Sequence, residues 1–239
     1  MTLSRSVEDS TLKDLKTYVG GLSKPSKMPG WAYGLPAQEC KVGSQMRKEK
    51  GSTCEGCYAF KAHYVMYKEV KTAQYNRLSA ITKEHWVPAM VRLISHYSSE
   101  VFRWHDAGDI MSLDHLSRIV KIAKELPNTA FWIPTREVHT VRRWRDGHSD
   151  NCATFCNLVH IKRKEPENLR IRLSALMNNT KPPKYSGLSD LTTSTVHSSK
   201  HLGKPGESIE CGAYKRNGEC GACRACWSPK VKNVSYRNH

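Results

Sequence analysis

The stretch VFRWHDAGDI, residues 101–110, decides the fold class when it is taken together with the residues that follow it. It begins as a β-rich run and ends in polar residues and a glycine. The next segment, SLDHLSRIVKIAKEL (112–126), has apolar residues at helical spacing, with Ser112 as the N-cap and a stop at Pro127. TAFWIPTRE (129–137) then predicts a second strand. A strand, a helix and a strand in succession predict a right-handed βαβ unit built on parallel strands.

The same pattern continues along the chain. VHTVRRWRDG (138–147) predicts a short helix closed by a glycine, NLRIRLSALM (168–177) a third strand and LTTSTVH (191–197) a fourth. Upstream, residues 58–98 predict two helices separated at Pro88. We therefore expect an α/β protein, and specifically a partial (β/α) barrel of about four to six mostly parallel strands.

Composition divides the chain into three parts. Residues 1–50 are rich in Gly, Pro, Ser and Lys and predict an irregular N-terminal segment. Residues 51–200 carry the predicted α/β partial-barrel core. Residues 201–239 contain four cysteines and little apolar surface, too little to form a core of their own. We expect this C-terminal tail to be stapled by a metal and packed on the core.

Polar residues stand where the predicted strands end, which is the edge that carries the chemistry in barrels and open α/β sheets. His105 and Asp106 form either a proton-transfer pair or a structural hydrogen bond. Arg136 and Glu137 form either a structural ion pair or an anion-binding or catalytic pair. Ser174 ends the third strand.

Total composition limits the class of protein and its partners. The chain has 239 residues, a net charge of +16 and nine cysteines. No apolar run is long enough to span a membrane, and the first residues contain no apolar signal region, so we expect a cytoplasmic protein. Clustered cysteines in that reducing compartment bind metals or do redox chemistry more often than they form disulfides. The charge favours a nucleic acid or nucleotide as partner, the alternative being a basic enzyme whose charge has no dedicated partner.

The tail cysteines have the spacing C-x8-C-x2-C-x2-C, at Cys211, Cys220, Cys223 and Cys226. Zinc sites usually take two C-x2-C pairs separated by a longer loop. Three cysteines in consecutive C-x2-C spacing with a remote fourth are more typical of a [4Fe-4S] cluster. The pattern favours iron–sulfur, with zinc as the alternative.

A second group lies upstream, where GSTCEGCYAF (51–60) contains Cys54 and Cys57, with Cys40 as the nearest further ligand. Three cysteines leave one iron of a [4Fe-4S] cluster open to a substrate or to S-adenosylmethionine. Half of a zinc site, or a thioredoxin-like redox pair, are the alternatives. A further arrangement brings all seven of these cysteines to a single site. Cys152 and Cys156, four residues apart, are read as two buried thiols, with cluster ligation as the alternative.

Five motifs in order carry a resemblance to a known family: GSTCEGCYA, FRWHDAGD, FWIPTRE, RLSA and CGACRACW. With them the chain resembles the bacteriophage gene product 88 family over roughly residues 28–236. It is more distantly similar to radical S-adenosylmethionine enzymes, which are partial (β/α) barrels with three cluster-binding cysteines and a Gly-Gly-Glu-type turn. The superfamily spacing is usually C-x3-C-x2-C, whereas this chain has C-x13-C-x2-C and an Asp in place of the usual Glu. The similarity implies a cofactor side lined by five residues, Ala107, Gly108, Asp109, Glu137 and Ser174.

The sequence thus predicts an iron–sulfur phage protein of the host cytoplasm, with one or two [4Fe-4S] clusters. The first hypothesis is a radical S-adenosylmethionine-like enzyme that acts on a nucleic acid or nucleotide and takes electrons from a donor. In it Cys40, Cys54 and Cys57 hold the reactive cluster, and the tail holds an auxiliary cluster or zinc. The alternatives are a zinc-stapled, non-catalytic nucleic-acid-binding protein and an iron–sulfur sensor or electron carrier.

Overall fold

A computed structural model describes residues 6–61, 63–151, 161–198 and 208–238 of the chain. The strands are β1 Trp31–Tyr33, β2 Val101–Trp104, β3 Ala130–Thr135, β4 Leu169–Ser174, β5 Thr192–His197, β6 Ser208–Glu210 and β7 Asn233–Arg237. The α-helices are α1 Leu12–Tyr18, α2 Lys41–Met46, α3 His63–Met66, α4 Lys68–Ala80, α5 Trp86–Tyr97, α6 Leu113–Glu125 and α7 Val138–Arg145. Three short 3-10 turns lie at Ala37–Glu39, Tyr58–Phe60 and Gly212–Arg216.

The seven strands form one open sheet in the order β1-β2-β3-β4-β5-β7-β6, and every neighbouring pair is parallel. In the described residues the two edge strands do not pair with each other, so the sheet is not closed. The order rises through the first five strands, whereas a doubly wound sheet reverses its order at a switch point. Because every neighbouring pair is parallel, the carboxyl ends of all seven strands lie at one edge of the sheet.

The two faces of the sheet are covered differently. Helices α1, α5, α6 and α7 pack on one face, where Phe102, Phe131 and Ile171 enter the main hydrophobic core. The opposite face, which we call the tail face, carries a smaller cluster in which Trp132 packs with Cys226 and Trp227 of the tail. Successive side chains of a strand point to opposite faces, so alternate residues of one strand enter the main core and the tail-face cluster.

The βαβ unit has the predicted elements. Ser112 caps α6 by accepting a hydrogen bond from the His115 backbone N–H at 3.0 Å, and the helix ends just before Pro127. β3 and α7 fall within the predicted ranges, and Gly147 beyond α7 has a φ of 92°. The prediction of an α/β fold with parallel strands is confirmed, with seven strands where about four to six were expected.

Two local predictions are wrong. The N-terminal segment is not irregular, because it contains α1, the edge strand β1 and α2. A capping box between Thr11 and Asp14 stabilises the start of α1. Pro88 does not separate two helices, since it lies in the first turn of α5, where a backbone N–H has no partner within the helix anyway.

Candidate metal centres

The four tail cysteines line one pocket on the tail face. Cys211, Cys220, Cys223 and Cys226 surround a space of about 350 Å³, including the part open to solvent, together with Arg216 and Trp227. Cys226 is buried and Cys223 is exposed. All four thiols are free, so no disulfide uses them. The spacing predicted that these residues would come together, and they do.

The tail is attached to the sheet by a residue that the sequence did not single out. Arg172 of β4 is fully buried, and its guanidinium donates five hydrogen bonds to backbone carbonyls. Four of the acceptors belong to the tail: Cys226 at 2.8 Å, Ala225 at 2.8 Å, Val231 at 3.0 Å and Ser228 at 3.1 Å. The fifth, Thr193, lies on β5 at 3.2 Å. All five N–H donors of the side chain are thereby used.

Further contacts complete the attachment of the tail. Trp227 donates its indole N–H to the carbonyl of Phe102 at 3.0 Å, and the Cys220 N–H donates to the carbonyl of Lys27 at 2.9 Å. β6 and β7 also extend the sheet. In the described residues these hydrogen bonds and this strand pairing hold the tail to the sheet.

Two thiols of this group, those of Cys220 and Cys226, lie close to positively charged side chains. Burial raises the pKa of Cys226 to about 11, although the Tyr236 hydroxyl at 3.1 Å and the Arg172 charge oppose that shift. Burial also raises the pKa of Cys220, and the Arg103 charge opposes it. In the described part of the chain neither Arg103 nor Arg172 has a salt bridge to a carboxylate. A metal that binds here displaces thiol protons and meets two positive charges.

The second group, Cys40, Cys54 and Cys57, lies at the carboxyl edge of the sheet. Cys40 is the N-cap residue of α2. The Sγ atoms of Cys40 and Cys54 lie 3.6 and 3.8 Å from the position that a Cβ on Gly43 would take, so this glycine leaves the space between the two thiols open. Cys40 and Cys57 also pack in one small cluster with Ala107, which follows β2.

The loop that carries Cys54 is fixed to the end of β4. The Thr53 N–H donates to the carbonyl of Leu176 at 2.9 Å, and its hydroxyl donates to Ala175 at 3.0 Å. Burial raises the pKa values of Cys40 and Cys54, and for Cys54 the charge of Arg136 opposes the shift. The two cysteine groups thus occupy different places, one at the carboxyl edge and one on the tail face, and the structure does not gather all seven thiols.

Two of the predicted cofactor residues, Asp109 and Gly108, contact neighbouring segments of the protein itself. Asp109 accepts hydrogen bonds from the Thr135 hydroxyl at 2.6 Å, the Ile110 N–H at 2.8 Å and the Arg136 N–H at 2.9 Å. It therefore ties the end of β2 to the end of β3, and burial raises its pKa to about 6. Gly108 has a φ of 80°, and a Cβ there would stand 2.7 Å from the carbonyl of Leu35.

Glu137 and Arg136 do not form an ion pair with each other in the described residues. Glu137 accepts the N–H of Val42 at 2.9 Å, two residues after Cys40, and Arg136 donates to the Thr53 hydroxyl at 3.0 Å, beside Cys54. Both side chains therefore brace the segments that carry the edge cysteines.

The other predicted site residues, His105, Asp106 and Ser174, make no hydrogen bond to the edge thiols in the described residues. His105 and Asp106 do not hydrogen bond to each other: both ring nitrogens of His105 and Oδ1 of Asp106 are buried without a partner in the described residues. His105 has a φ of 56°, and its ring lies 5.4 Å from that of His115 in the helix-covered core. Ser174 shares a hydrogen bond of 3.0 Å with the hydroxyl of Ser194.

The thiols are gathered but not arranged as metal ligands. In the part of the chain that the structure describes, no group of three or more His, Cys, Asp and Glu side chains is placed so that it could hold a metal ion. The metal staple predicted for the tail is therefore not shown. Cys152 and Cys156 lie outside the described residues.

Comparison with known proteins places the chain in a family. No described helix is both long and apolar enough to cross a membrane. No curated protein and no solved structure matches the chain. A family model described as Gene product 88 matches residues 1–229. The chain therefore belongs to the bacteriophage gene product 88 family, the one that its five sequence motifs predicted.

Proposed function

We propose that this protein binds iron–sulfur clusters, and that the tail cysteines hold one of them on the tail face. The observation that carries the proposal is the pocket lined by Cys211, Cys220, Cys223 and Cys226. A metal site with four thiolate ligands is net negative. The guanidinium groups of Arg103 and Arg172, which have no salt bridge to a carboxylate in the described residues, suit such a site.

Spacing, rather than charge, distinguishes iron–sulfur from zinc here. A zinc ion with four thiolates is also negative, so the two arginines fit either occupant. The consecutive C-x2-C-x2-C run ending at Cys226 is typical of cubane clusters, whereas structural zinc prefers two separated pairs. Small residues between the cysteines, Gly221, Ala222 and Ala225, leave backbone N–H groups accessible to cluster sulfurs.

The edge group supports a catalytic role. Three cysteines leave one iron of a cubane cluster without a protein ligand, and that position takes S-adenosylmethionine or a substrate. The rising order of β1 to β5 and the helices on a single face support a partial (β/α) barrel, in which reactive groups lie at the carboxyl edge. When bound, such a cluster with S-adenosylmethionine supplies radical chemistry after one-electron reduction. The chain's own contribution is to hold the cysteine segments through Asp109, Arg136 and Glu137.

A nucleic acid or nucleotide is the substrate class that the surface favours. The net charge is +16. Tyr58, next to Cys57, is 53% exposed, and Tyr67 is 48% exposed, in a segment that also contains Lys61 and Lys68. In such a surface the exposed aromatic rings stack on bases, and the basic side chains attract the phosphates. The same surface supports the second candidate, a zinc-stapled nucleic-acid-binding protein without catalysis.

Anaerobic purification with iron, sulfide and zinc analysis tests the proposal. We expect about four irons and four sulfides for each occupied group and a brown protein that absorbs near 400 nm. The double variant Cys220→Ser/Cys223→Ser and the double variant Cys54→Ser/Cys57→Ser should each lose about four irons. Cys152→Ser/Cys156→Ser is the matched control and should lose none.

The outcomes separate the candidates. A colourless protein with one or two zinc ions would refute the cluster and leave the nucleic-acid-binding alternative. Iron and sulfide together with reductive cleavage of S-adenosylmethionine support the radical enzyme. A reducible cluster without such cleavage identifies a sensor or an electron carrier.

A further inference from the structure

The ring of Tyr58 is exposed to solvent, although its hydroxyl group is held by the protein. Tyr58 begins the short 3-10 turn Tyr58–Phe60 and is 53% exposed. Its hydroxyl donates to the backbone carbonyl of Asp106 and accepts a hydrogen bond from Nη2 of Arg103 at 3.4 Å. The side chain is therefore fixed at its polar end, while the ring stays accessible from outside.

Asp106 holds a second ring beside the first. The Tyr64 hydroxyl donates to Oδ2 of Asp106 at 3.4 Å, and the Tyr64 ring centre lies 5.7 Å from that of Tyr58 at an angle of 59°. Asp106 is only 8% exposed, and a Cβ on Gly34 would stand 2.2 Å from its Oδ1, so the residue after β1 covers this carboxylate. Asp106 is thus a positioning residue that acts through the two tyrosines.

The same stretch of the chain exposes further apolar side chains. Met66 is 74% exposed and Tyr67 is 48% exposed, and α3, which ends at Met66, contacts the turn that carries Tyr58. We call Tyr58, Tyr64, Met66 and Tyr67 together the tyrosine surface. Among the described residues it holds three of the six large apolar side chains that are exposed. A concentration of exposed apolar side chains of this kind marks a binding surface.

The charges around the tyrosine surface are mostly positive. Lys61, Lys68 and Lys71 are exposed, and Glu69 is the only acidic residue between positions 56 and 83 of the sequence. Exposed aromatic rings that alternate with lysines suit a partner that has both flat apolar groups and negative charge. A nucleic acid has both, in its bases and its phosphates.

The charge of Arg103 is already engaged by the protein. Its guanidinium stacks 4.6 Å from the centre of the Trp132 ring and donates to the Tyr58 hydroxyl. The carboxylate of Asp106 also acts on it and offsets its charge. We therefore assign Arg103 to holding Tyr58 in place and leave contact with phosphates to the exposed lysines.

We propose that the tyrosine surface binds a single-stranded nucleic acid, with a base stacked on Tyr58 and phosphates on the exposed lysines. The inference rests on the nucleic-acid partner of the proposed function, but it needs no metal. A tyrosine ring stacks on a base whose own face is free, and in a duplex the neighbouring base pairs cover those faces. Since Tyr58 directly follows Cys57, the bound strand runs along the carboxyl edge of the sheet, beside the edge group.

Fluorescence anisotropy with the full-length protein tests this inference. The probes are a labelled oligothymidine of about 15 nucleotides and a duplex of the same length. Wild type is compared with Tyr58→Leu, Tyr58→Trp and Tyr97→Leu. Tyr97 is the matched control, because its ring also lies beside a lysine, with Lys16 Nζ at 5.6 Å, but at the end of α5 close to the start of β2, at the opposite edge of the sheet. Circular dichroism and iron content are measured on every sample.

We expect wild type to bind the single strand more tightly than the duplex. Tyr58→Leu should weaken binding of the single strand about 5- to 100-fold, which is the range for loss of one stacked base. Tyr58→Trp retains an aromatic face and should keep most of the affinity, and Tyr97→Leu should keep all of it. Lys61→Gln should reduce the slope of log K against log salt by about 0.7, the share of one phosphate contact on a single strand. Because Lys61 is exposed, this variant tests the surface even if Tyr58→Leu does not fold.

Two results would overturn the inference and leave a nucleic-acid partner standing. One is equal or tighter binding of the duplex, and the other is single-strand binding that Tyr58→Leu and Lys61→Gln leave unchanged. Failure of wild type to bind either probe would overturn the nucleic-acid partner as well, and the iron analysis decides separately whether the clusters are present.

Discussion

Replacing Arg172 with methionine should release the tail from the sheet. The substitution removes five donors from carbonyls of which four belong to the tail, at distances from 2.8 to 3.1 Å. Each hydrogen bond to a charged group is worth about 1.5–3 kcal/mol. Part of that sum is offset, because the variant no longer buries a guanidinium, which itself costs several kcal/mol. A buried carbonyl left without a donor costs about 1–3 kcal/mol, and after that offset we expect a net loss of about 3–5 kcal/mol.

Native-state hydrogen exchange measures this loss where it occurs. The backbone N–H groups of Cys223 and Trp227 are hydrogen bonded within the tail and report on its opening. A cost of about 3–5 kcal/mol corresponds to exchange that is roughly two to four orders of magnitude faster, since about 1.4 kcal/mol is tenfold. Amides of α6 on the opposite face should change far less.

Arg170→Met is the matched control for the hydrogen-exchange experiment. Arg170 is two residues earlier on the same strand and donates to the nearby carbonyl of Glu167 rather than to the tail. Its substitution should leave tail exchange within about threefold of wild type, because a partly exposed interaction contributes less than about 1 kcal/mol. Equal protection of the tail in Arg172→Met and in wild type would show that β6, β7 and Trp227 suffice, and the reasoning would fail.

Two further predictions concern the edge group and the helix-covered core. Gly43→Ala should favour the α2 helix by about 1 kcal/mol from propensity alone, but its Cβ would stand 2.9 Å from the Cys40 Cβ. We therefore expect iron at the edge group to fall while the tail group keeps its iron, and unchanged iron at both would contradict this. Burial lowers the pKa of His115 to about 3, so its stabilising effect is present above the unfolded pKa of about 6.5 and is lost as the pH falls below it. At pH 5 the loss is about 2 kcal/mol. His115→Gln should reduce the difference in unfolding free energy between pH 7 and pH 5 by about that amount, and the exposed His96→Gln should not. Urea denaturation measures both, and equal pH dependence in His115→Gln and wild type would refute the assignment.

The parts of the fold with strong periodicity were predictable. α6 combines an N-cap, an amphipathic pattern and a terminating proline, and these local signals agree with its tertiary position. β1 has only three residues, too few for an alternation to appear, so its place at the edge of the sheet depends on its pairing with β2. Pro88 shows that a proline marks a helix start as well as a break, and local sequence did not distinguish the two.

The sequence could predict which cysteines lie together, but it could not predict which other residues surround each group. Cysteine spacing is a local property and correctly associated the four tail residues. In β4, Leu169, Ile171 and Leu173 alternate with Arg170, Arg172 and Ser174, and a polar strand face of this kind is usually solvated. Arg172 is instead fully buried, because a segment 50 residues and more away supplies the carbonyls that satisfy it. That pairing is visible only in three dimensions.

The attachment through Arg172 also bears on how a metal would enter the tail. Small zinc modules are unfolded without their ion, because the ligands are the only contacts that organise the chain. Here β6 and β7 join the sheet, Trp227 reaches the Phe102 carbonyl, and Arg172 holds four tail carbonyls, so the protein's own contacts also help to order the tail. Part of the free energy that orders this tail therefore comes from contacts that need no ion, and a metal that binds in the pocket displaces thiol protons as it enters.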